Sequence, residues 1–110
     1  KGKSGDTFGP IGPYLVTKDE ISDINNLNLS LDVNEKKMQA GNTKNMIFNT
    51  NFLLSYLSKF MSLQPGDIVT TGTPSGVGMG MKPPVFLKPG DKIKLSIDNL
   101  GEQNSKVITE

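Results

Sequence analysis

Glycine and proline restrict the fold of this chain more than any other residues, because both interrupt regular helices. The sequence has 12 Gly and 7 Pro among 110 residues. Such a content favours frequent turns and short strands over a helical bundle. The length suits one small domain, and a hydrophobic content of 35% allows a modest core. We therefore predict a mainly β fold of the α+β class.

A hairpin is the clearest element in the pattern. Leu27, Leu29, Leu31 and Val33 alternate with polar residues, as expected for a half-buried strand. The pair Asn34-Glu35 then suits a tight turn, and residues 36–39 are predicted to return as the second strand.

Further strands are predicted where short apolar or alternating runs follow turn residues. The spelling Leu-x-Pro-Gly-Asp occurs at 63–67 and again at 87–91, and Pro-Gly at its centre suits a type II turn. The predicted strands are 14–17, 68–71, 91–97 and 107–109.

One helix is predicted at residues 51–62, with Asn49 or Thr50 as its N-cap. Apolar residues recur through it at helical spacing, so we expect an amphipathic helix whose apolar stripe packs on the sheet as core.

The charge pattern argues against several partners. The 12 cations are all Lys, against 11 acidic residues, and they are scattered. A nucleic-acid surface needs clustered cations, so no nucleic acid is expected. No apolar run approaches the roughly 18 residues that span a bilayer, so no membrane is expected either. No signal peptide is visible, and the sequence begins with Lys1 rather than Met, as expected if the natural N-terminus lies upstream.

The chain contains neither Cys nor His. Cysteine absence excludes disulfides and thiol chemistry, and it fits a cytoplasmic protein. Histidine absence excludes a Ser-His-Asp or Cys-His centre built from this chain alone. It also excludes a metal site of the His or Cys type.

Two glycine-rich stretches could approach a ligand, at residues 1–13 and 70–80. Exposed backbone N–H groups in the second could form an anion-binding concavity, although a structural turn explains the same residues. It lacks the spacing of a phosphate loop and the helix of a dinucleotide site. Lys3, in the first stretch, could hold an anion or simply be solvated.

Several motifs run in order along nearly the whole chain. They are Gly2-Lys3-Ser4, 6–13, Gly41-Asn42-Thr43, Met46-Ile47-Phe48, Pro65-Gly66-Asp67, 71–78, Pro83-Pro84 and 87–91. In this order and spacing they resemble the C-terminal half of the catalytic domain of the fumarylacetoacetate hydrolase family. Within it, residues 78–84 are similar to a subgroup containing 2,4-diketo-3-deoxy sugar acid hydrolases and proteins named ureidoglycolate lyases.

The resemblance implies an enzyme acting on 2-oxo or 1,3-dicarbonyl acids. In the family a divalent cation, usually Mg²⁺ or Mn²⁺, chelates the substrate and stabilises the enolate formed when the bond breaks. Lys3 then matches the catalytic lysine, Thr7 a position near the metal, and Gly72 and Thr73 a substrate-binding pair. Asp6 is expected to form a turn. Gln39 and Thr43 lie in a motif block without an assigned role.

The resemblance also implies that part of the active centre lies elsewhere. The family's metal ligands, on a Glu-x-Glu motif and a later acid, and its water-activating His–Glu pair all precede the position of Lys3. We therefore expect residues 1–110 to be a single partial catalytic domain, inactive alone, from a C–C bond hydrolase that forms a homodimer. Alternatives are an isomerase, decarboxylase or lyase of the family, or a non-catalytic module that binds small carboxylates.

Overall fold

A four-stranded antiparallel sheet organises the structure. The computed structural model describes residues 4–109. The strands are β1 (Asn28–Val33), β2 (Lys36–Asn42), β3 (Lys92–Ile97) and β4 (Gly101–Lys106), arranged in the order β2-β1-β3-β4. With the single α-helix described below, the sheet confirms the predicted mainly β, α+β class.

The predicted hairpin is present, and its turn is held by a side chain. Asn34 and Glu35 both have positive φ, 50° and 67°, as a two-residue type I′ turn requires. The Asn34 side chain accepts from the Lys92 N–H at 2.9 Å and donates to Asp91 Oδ1 at 2.8 Å. One asparagine therefore joins the β1–β2 turn to the start of β3.

A β-bulge interrupts the hairpin in the middle. Val33 pairs with Lys36 and Asp32 with Lys37, but Leu31 pairs with Gln39. Met38 is the extra residue of β2, and it shifts the remaining pairs by one position. Gln39 consequently lies opposite Leu31 instead of opposite Ser30.

The two faces of the sheet differ in polarity, because directly paired residues share a face. The first face carries Leu29, Leu31, Val33, Ile93, Leu95 and Ile97. On the second face, Ser30 and Ser96 share a hydrogen bond of 3.0 Å, and the side chains of Lys94 and Glu102 form a salt bridge of 2.8 Å. The first face is called the apolar face below.

Both Pro-Gly turns are confirmed. Gly66 and Gly90 have φ of 97° and 94°, and the following aspartate N–H donates back to Gln64 or Lys88 at 3.0 Å. These features define type II turns.

The helix differs from its prediction in length and packing. Helix α1 spans Thr50–Leu57, with the Asn49 side chain accepting from the Phe52 N–H at 2.8 Å. It ends before residue 62 because the Ser58 hydroxyl bonds the Ser55 carbonyl at 2.9 Å and competes with the backbone ladder. The expected core packing is wrong for the described residues, since Phe52 and Tyr56 remain 49% and 50% exposed.

Three predicted strands are also wrong in place. Residues 14–17 and 68–71 form no strand, because neither has a ladder partner within residues 4–109. The last strand is Gly101–Lys106 instead of 107–109, since pairing with β3 selects it despite its polar sequence. Val107 still donates to the Asp91 carbonyl at 2.9 Å, just beyond the strand.

Little of the described chain is enclosed. Ile21 and Leu27 are the buried hydrophobic residues, at 8% and 7% exposure, and no described side chain is fully buried. None of the helices formed by residues 4–109 has the length and apolar character needed to cross a bilayer.

The Asn34 junction can be tested by two substitutions. Asn34→Gly keeps access to positive φ but removes the side-chain bonds, whereas Asn34→Ala loses both. We expect urea unfolding to rank wild type above Gly and Gly above Ala, with Ala a further 1–2 kcal/mol or so lower because of the left-handed backbone. Equal stabilities for the two variants would show that backbone conformation does not matter at this turn.

Acid should weaken the same junction. Hydrogen bonds from the Lys88 N–H and then the Asn34 side chain hold the pKa of Asp91 below its ordinary value. A lowered folded-state pKa contributes stability above the unfolded value, near 3.8, and that stability is lost as the pH falls through the folded-state pKa. Unfolding measured from pH 6 to pH 2 should therefore lose part of its acid dependence in Asp91→Asn, and an unchanged profile would contradict this.

Candidate functional site

A buried glutamine on the apolar face organises the candidate site. Gln39, Leu31, Leu95 and Gln103 are paired in turn across all four strands, so they form one row on this face. Leucines occupy the centre of the row and glutamines its two ends. Gln39 is only 8% exposed, so its amide requires partners inside the protein.

Those partners belong to the second glycine-rich stretch. The Gln39 Nε2 group donates to Thr73 Oγ1 and to the Pro74 carbonyl, both at 2.8 Å. Two of the hydrogen bonds that fix this loop therefore come from one strand residue. Among residues 4–109, the backbone N–H groups of Gly72 and Thr73 have no hydrogen-bond partner.

Close glycine contacts seat the same loop on β2. Gly76 has φ 106°, and a Cβ there would overlap the Met38 carbonyl oxygen. A Cβ on Gly41 would lie 3.0 Å from the Pro74 Cβ. By contrast, Gly72 has φ 96° with open space where a Cβ would be, so its glycine is required by conformation and not by crowding.

The loop borders a wide concavity of about 730 Å³ whose floor is the apolar face. Leu29, Leu31, Leu95 and Ile97 line the floor, and residues 71–75 line one side. None of the described residues that line it is charged. A carboxylate bound here would therefore need its counter-charge from outside this set of residues.

The first glycine-rich stretch lies at the other end of the row. The Gln103 side chain donates to the Gly12 carbonyl, and a Cβ on Gly101 would meet the Tyr14 hydroxyl at 2.7 Å. Gln39 and Gln103 thus hold the two stretches over the same face, from edge strands roughly 14 Å apart at ordinary strand spacing.

The predicted site residues are not all placed by the structure. Gly72 and Thr73 line the concavity, and their role as a substrate-binding pair stays a prediction. Lys3, the predicted catalytic residue, lies outside the described residues, so its meeting with Thr73 stays a prediction. Asp6 and Thr7 occupy an exposed turn, which agrees with the turn expected at Asp6. Thr7 has φ 66°, unusual for a β-branched residue, and it is not among the residues lining the concavity.

No metal centre forms within residues 4–109. No three carboxylates, histidines or cysteines of this range come together. The described residues therefore do not fit a divalent cation by themselves.

Gln39 and Thr43, to which the motifs assign no role, each have one in the structure. Thr43 exchanges two hydrogen bonds of 2.9 Å with the Leu27 backbone, through its own N–H and its hydroxyl oxygen. It extends the hairpin. The sequence signal for Gln39 is a polar residue on the same strand face as Gly41, opposite Leu31 on the apolar face of the sheet. Regular alternation from the turn predicts the other face for Gln39, because the sequence does not show the bulge at Met38.

Residues 1–108 match the sequence pattern described as fumarylacetoacetate (FAA) hydrolase C-terminal. The chain belongs to the fumarylacetoacetate hydrolase family. A similar relative, a protein from Burkholderia cenocepacia provisionally named a hydrolase, is 59% identical over 104 residues. That match covers 94% of this chain and 37% of the relative, so the chain spans little more than a third of the length of such family members.

Solved structures of the family share this fold. Fumarylacetoacetate hydrolase from Exiguobacterium antarcticum is 42% identical with a TM-score of 0.95, over 99% of this chain and 39% of that one. Maleylpyruvate hydrolase from Sphingobium sp. SYK-6, solved with manganese(II) and pyruvate, is 40% identical with a TM-score of 0.84, over 94% and 36%. A 2-hydroxyhepta-2,4-diene-1,7-dioate isomerase from Mycobacterium marinum is 35% identical with a TM-score of 0.80, over 94% and 37%. The family therefore contains both hydrolases and isomerases.

The seating of the loop can be tested with a matched pair of glycines. Gly66 and Gly76 have similar positive φ, but only Gly76 is crowded. Gly66→Ala should cost about 1–2 kcal/mol from backbone conformation alone. Gly76→Ala should cost clearly more in urea unfolding, because its Cβ displaces the loop from Met38, and amide shifts of residues 71–75 should move only in this variant. Equal costs and unmoved shifts would show that the loop is not seated on β2.

Proposed function

We propose that this chain is the C-terminal part of the catalytic domain of a divalent-metal-dependent hydrolase that cleaves C–C bonds of 2-oxo or 1,3-diketo acids. The substrate would be of the acylpyruvate or 2,4-diketo-3-deoxy sugar acid type. The observation that carries this proposal is the Thr73 loop, held by a buried amide at the side of an uncharged concavity.

The loop supplies groups suited to a carboxylate. The Thr73 hydroxyl and the backbone N–H groups of Gly72 and Thr73, which have no partner among residues 4–109, are donors close to one another on an exposed loop. The leucine and isoleucine floor suits the carbon chain of the substrate. Polar donors at one side of an apolar concavity are the usual arrangement of a small-molecule site.

Counter-charge is the part that the described residues lining the concavity lack. In the proposal, Lys3 supplies an ammonium group that stabilises developing oxyanion charge. The manganese(II) and pyruvate in the maleylpyruvate hydrolase neighbour support a divalent cation, Mg²⁺ or Mn²⁺, in the whole enzyme. Residues outside this chain would hold that cation, so no chemical step is assigned to it.

Exposed apolar surface supports the interpretation of residues 1–110 as a partial catalytic domain. Leu15 and Ile47 are 92% and 91% exposed, and Phe48, Phe52, Tyr56 and Phe60 form an exposed aromatic stack with neighbouring centroids 4.8 to 6.1 Å apart. Exposed apolar area of this extent is typical of a surface that other protein covers. In the proposal, the rest of the enzyme and the second subunit of a homodimer cover it, and residues 1–110 alone do not turn over substrate.

An isomerase is the second candidate, because isomerases such as the Mycobacterium marinum protein share the fold at similar identity. A panel of 2-oxo acids incubated with the full-length enzyme separates the two by product. A hydrolase releases two smaller acids, whereas an isomerase returns a product of unchanged mass. Binding of pyruvate by the 110-residue chain without metal and without turnover by the full-length enzyme would instead favour a carboxylate-binding module.

The two proposed contacts should be separable in that enzyme. Thr73→Val removes the hydroxyl without changing shape, and we expect kcat/KM for a cleaved 2-oxo acid to fall about 10- to 100-fold, mainly through KM. Thr73→Ser should restore most of it. Lys3→Met should lower kcat about 100-fold or more, as the loss of an oxyanion-stabilising group does.

The matched controls are Thr109→Val and Lys106→Met, both at exposed positions, which should leave kcat and KM unchanged. Full activity in Thr73→Val would remove the loop from the site. Full activity in Lys3→Met would remove the lysine.

A further inference from the structure

We propose that Gln39 is a positioning residue that sets the direction of the Thr73 hydroxyl, so that the loop presents a hydrogen-bond donor to a carboxylate. The proposal rests on the proposed function, since it concerns the same carboxylate. Gln39 itself need not touch the ligand, because it is 8% exposed and acts through Thr73.

The orientation of the Gln39 amide follows from its partners. The Pro74 carbonyl only accepts hydrogen bonds, so the group 2.8 Å from it must be the –NH₂ and not the amide oxygen. The same nitrogen lies 2.8 Å from Thr73 Oγ1. Both amide hydrogens are therefore used, one on each acceptor.

The consequence for Thr73 is a fixed polarity. Its hydroxyl oxygen accepts the Gln39 hydrogen, so the hydroxyl hydrogen cannot point at Gln39 and is left to donate elsewhere. Thr73 is exposed and lines the concavity, so this donor is available to a ligand there. A carboxylate accepts hydrogen bonds only, and it matches a hydroxyl held in this orientation.

A purely structural role for Gln39 is the competing explanation, and the loop contacts separate the two. Gly76 against Met38 and Pro74 against Gly41 seat the loop on β2 without Gln39. The direction of the Thr73 hydroxyl, however, depends on the Gln39 amide among the described residues. Substitution of the Gln39 amide should therefore alter the direction of the Thr73 hydroxyl while the loop stays on β2.

The test compares Gln39→Glu and Gln39→Leu in the full-length enzyme, with Gln64→Glu as a control on an exposed glutamine. Pyruvate is titrated from pH 5 to pH 8 while ¹⁵N shifts of residues 71–76 are followed. In Gln39→Glu the ionised carboxyl can only accept, so Thr73 must turn its hydrogen inward. We expect pyruvate to bind at least about 10-fold more weakly at pH 8 than at pH 5 in this variant alone.

Gln39→Leu should weaken binding about 5- to 10-fold at every pH, since the hydroxyl becomes free to rotate. In Gln39→Leu the ligand-free shifts of residues 71–76 should keep the pattern of a loop seated on β2. Unchanged pyruvate affinity in Gln39→Glu would overturn the proposal. So would a loop that leaves β2 in Gln39→Leu, because Gln39 would then be only a structural support.

A wild-type full-length enzyme that binds no pyruvate would count against the proposed function but would still leave the positioning role testable. The Thr73 side-chain coupling constants and hydroxyl-proton exchange are then compared without ligand. A single rotamer in wild type that becomes averaged in Gln39→Leu supports the role of Gln39. Identical couplings and exchange in both would overturn it.

Discussion

The hydrogen bonds from one buried amide connect the sheet of this protein to its most ligand-like loop. A polar group enclosed to 8% exposure is costly without partners, and Gln39 finds them only if Thr73 and Pro74 are in place. The requirement works in both directions, because the loop has no strand partner among the described residues. Two close glycine contacts with β2 seat the loop, and the amide bonds its Thr73 hydroxyl and Pro74 carbonyl. The groups that this loop presents to a ligand are therefore held as rigidly as the sheet, although the segment is rich in glycine.

Local sequence predicted those parts of the fold that depend on local physics. The hairpin turn, both type II turns and the Asn49 cap follow from residue types within four positions of each other, and all are present. The strands predicted at 14–17 and 68–71 failed because an apolar run becomes a strand only when another strand supplies a ladder. Strand β4 was missed for the opposite reason, since pairing with β3 outweighs its polar composition. Thr73 could be found from its motif, whereas Gln39 could not, because its face depends on a bulge that composition does not reveal.

The apolar stripe of α1 shows a further limit. Its spacing gave a helix with an apolar side, but not what that side packs against. In the described residues Phe52 and Tyr56 of the stripe belong to an exposed aromatic stack, whereas Leu53 and Leu57 are half-buried, and the apolar face of the sheet is also open. Both surfaces are as apolar as a protein interior, but the described residues do not cover them. This agrees with a chain that spans 37% of a family relative.

The extra residue Met38 has a consequence for how this family segment can vary. Three residues, Lys36, Lys37 and Met38, lie between the turn at Asn34-Glu35 and Gln39. In a regular ladder this number would place Gln39 on the polar face of the sheet, and the bulge returns it to the apolar face. A hairpin one residue shorter would need no bulge and would keep the amide and Gly41 on the same face, because Leu31 would then meet Gln39 in an unbroken ladder. The bulge therefore allows two lengths of this segment with one result, so the face on which Gln39 lies, more than the number of residues before it, is what the hairpin has to preserve.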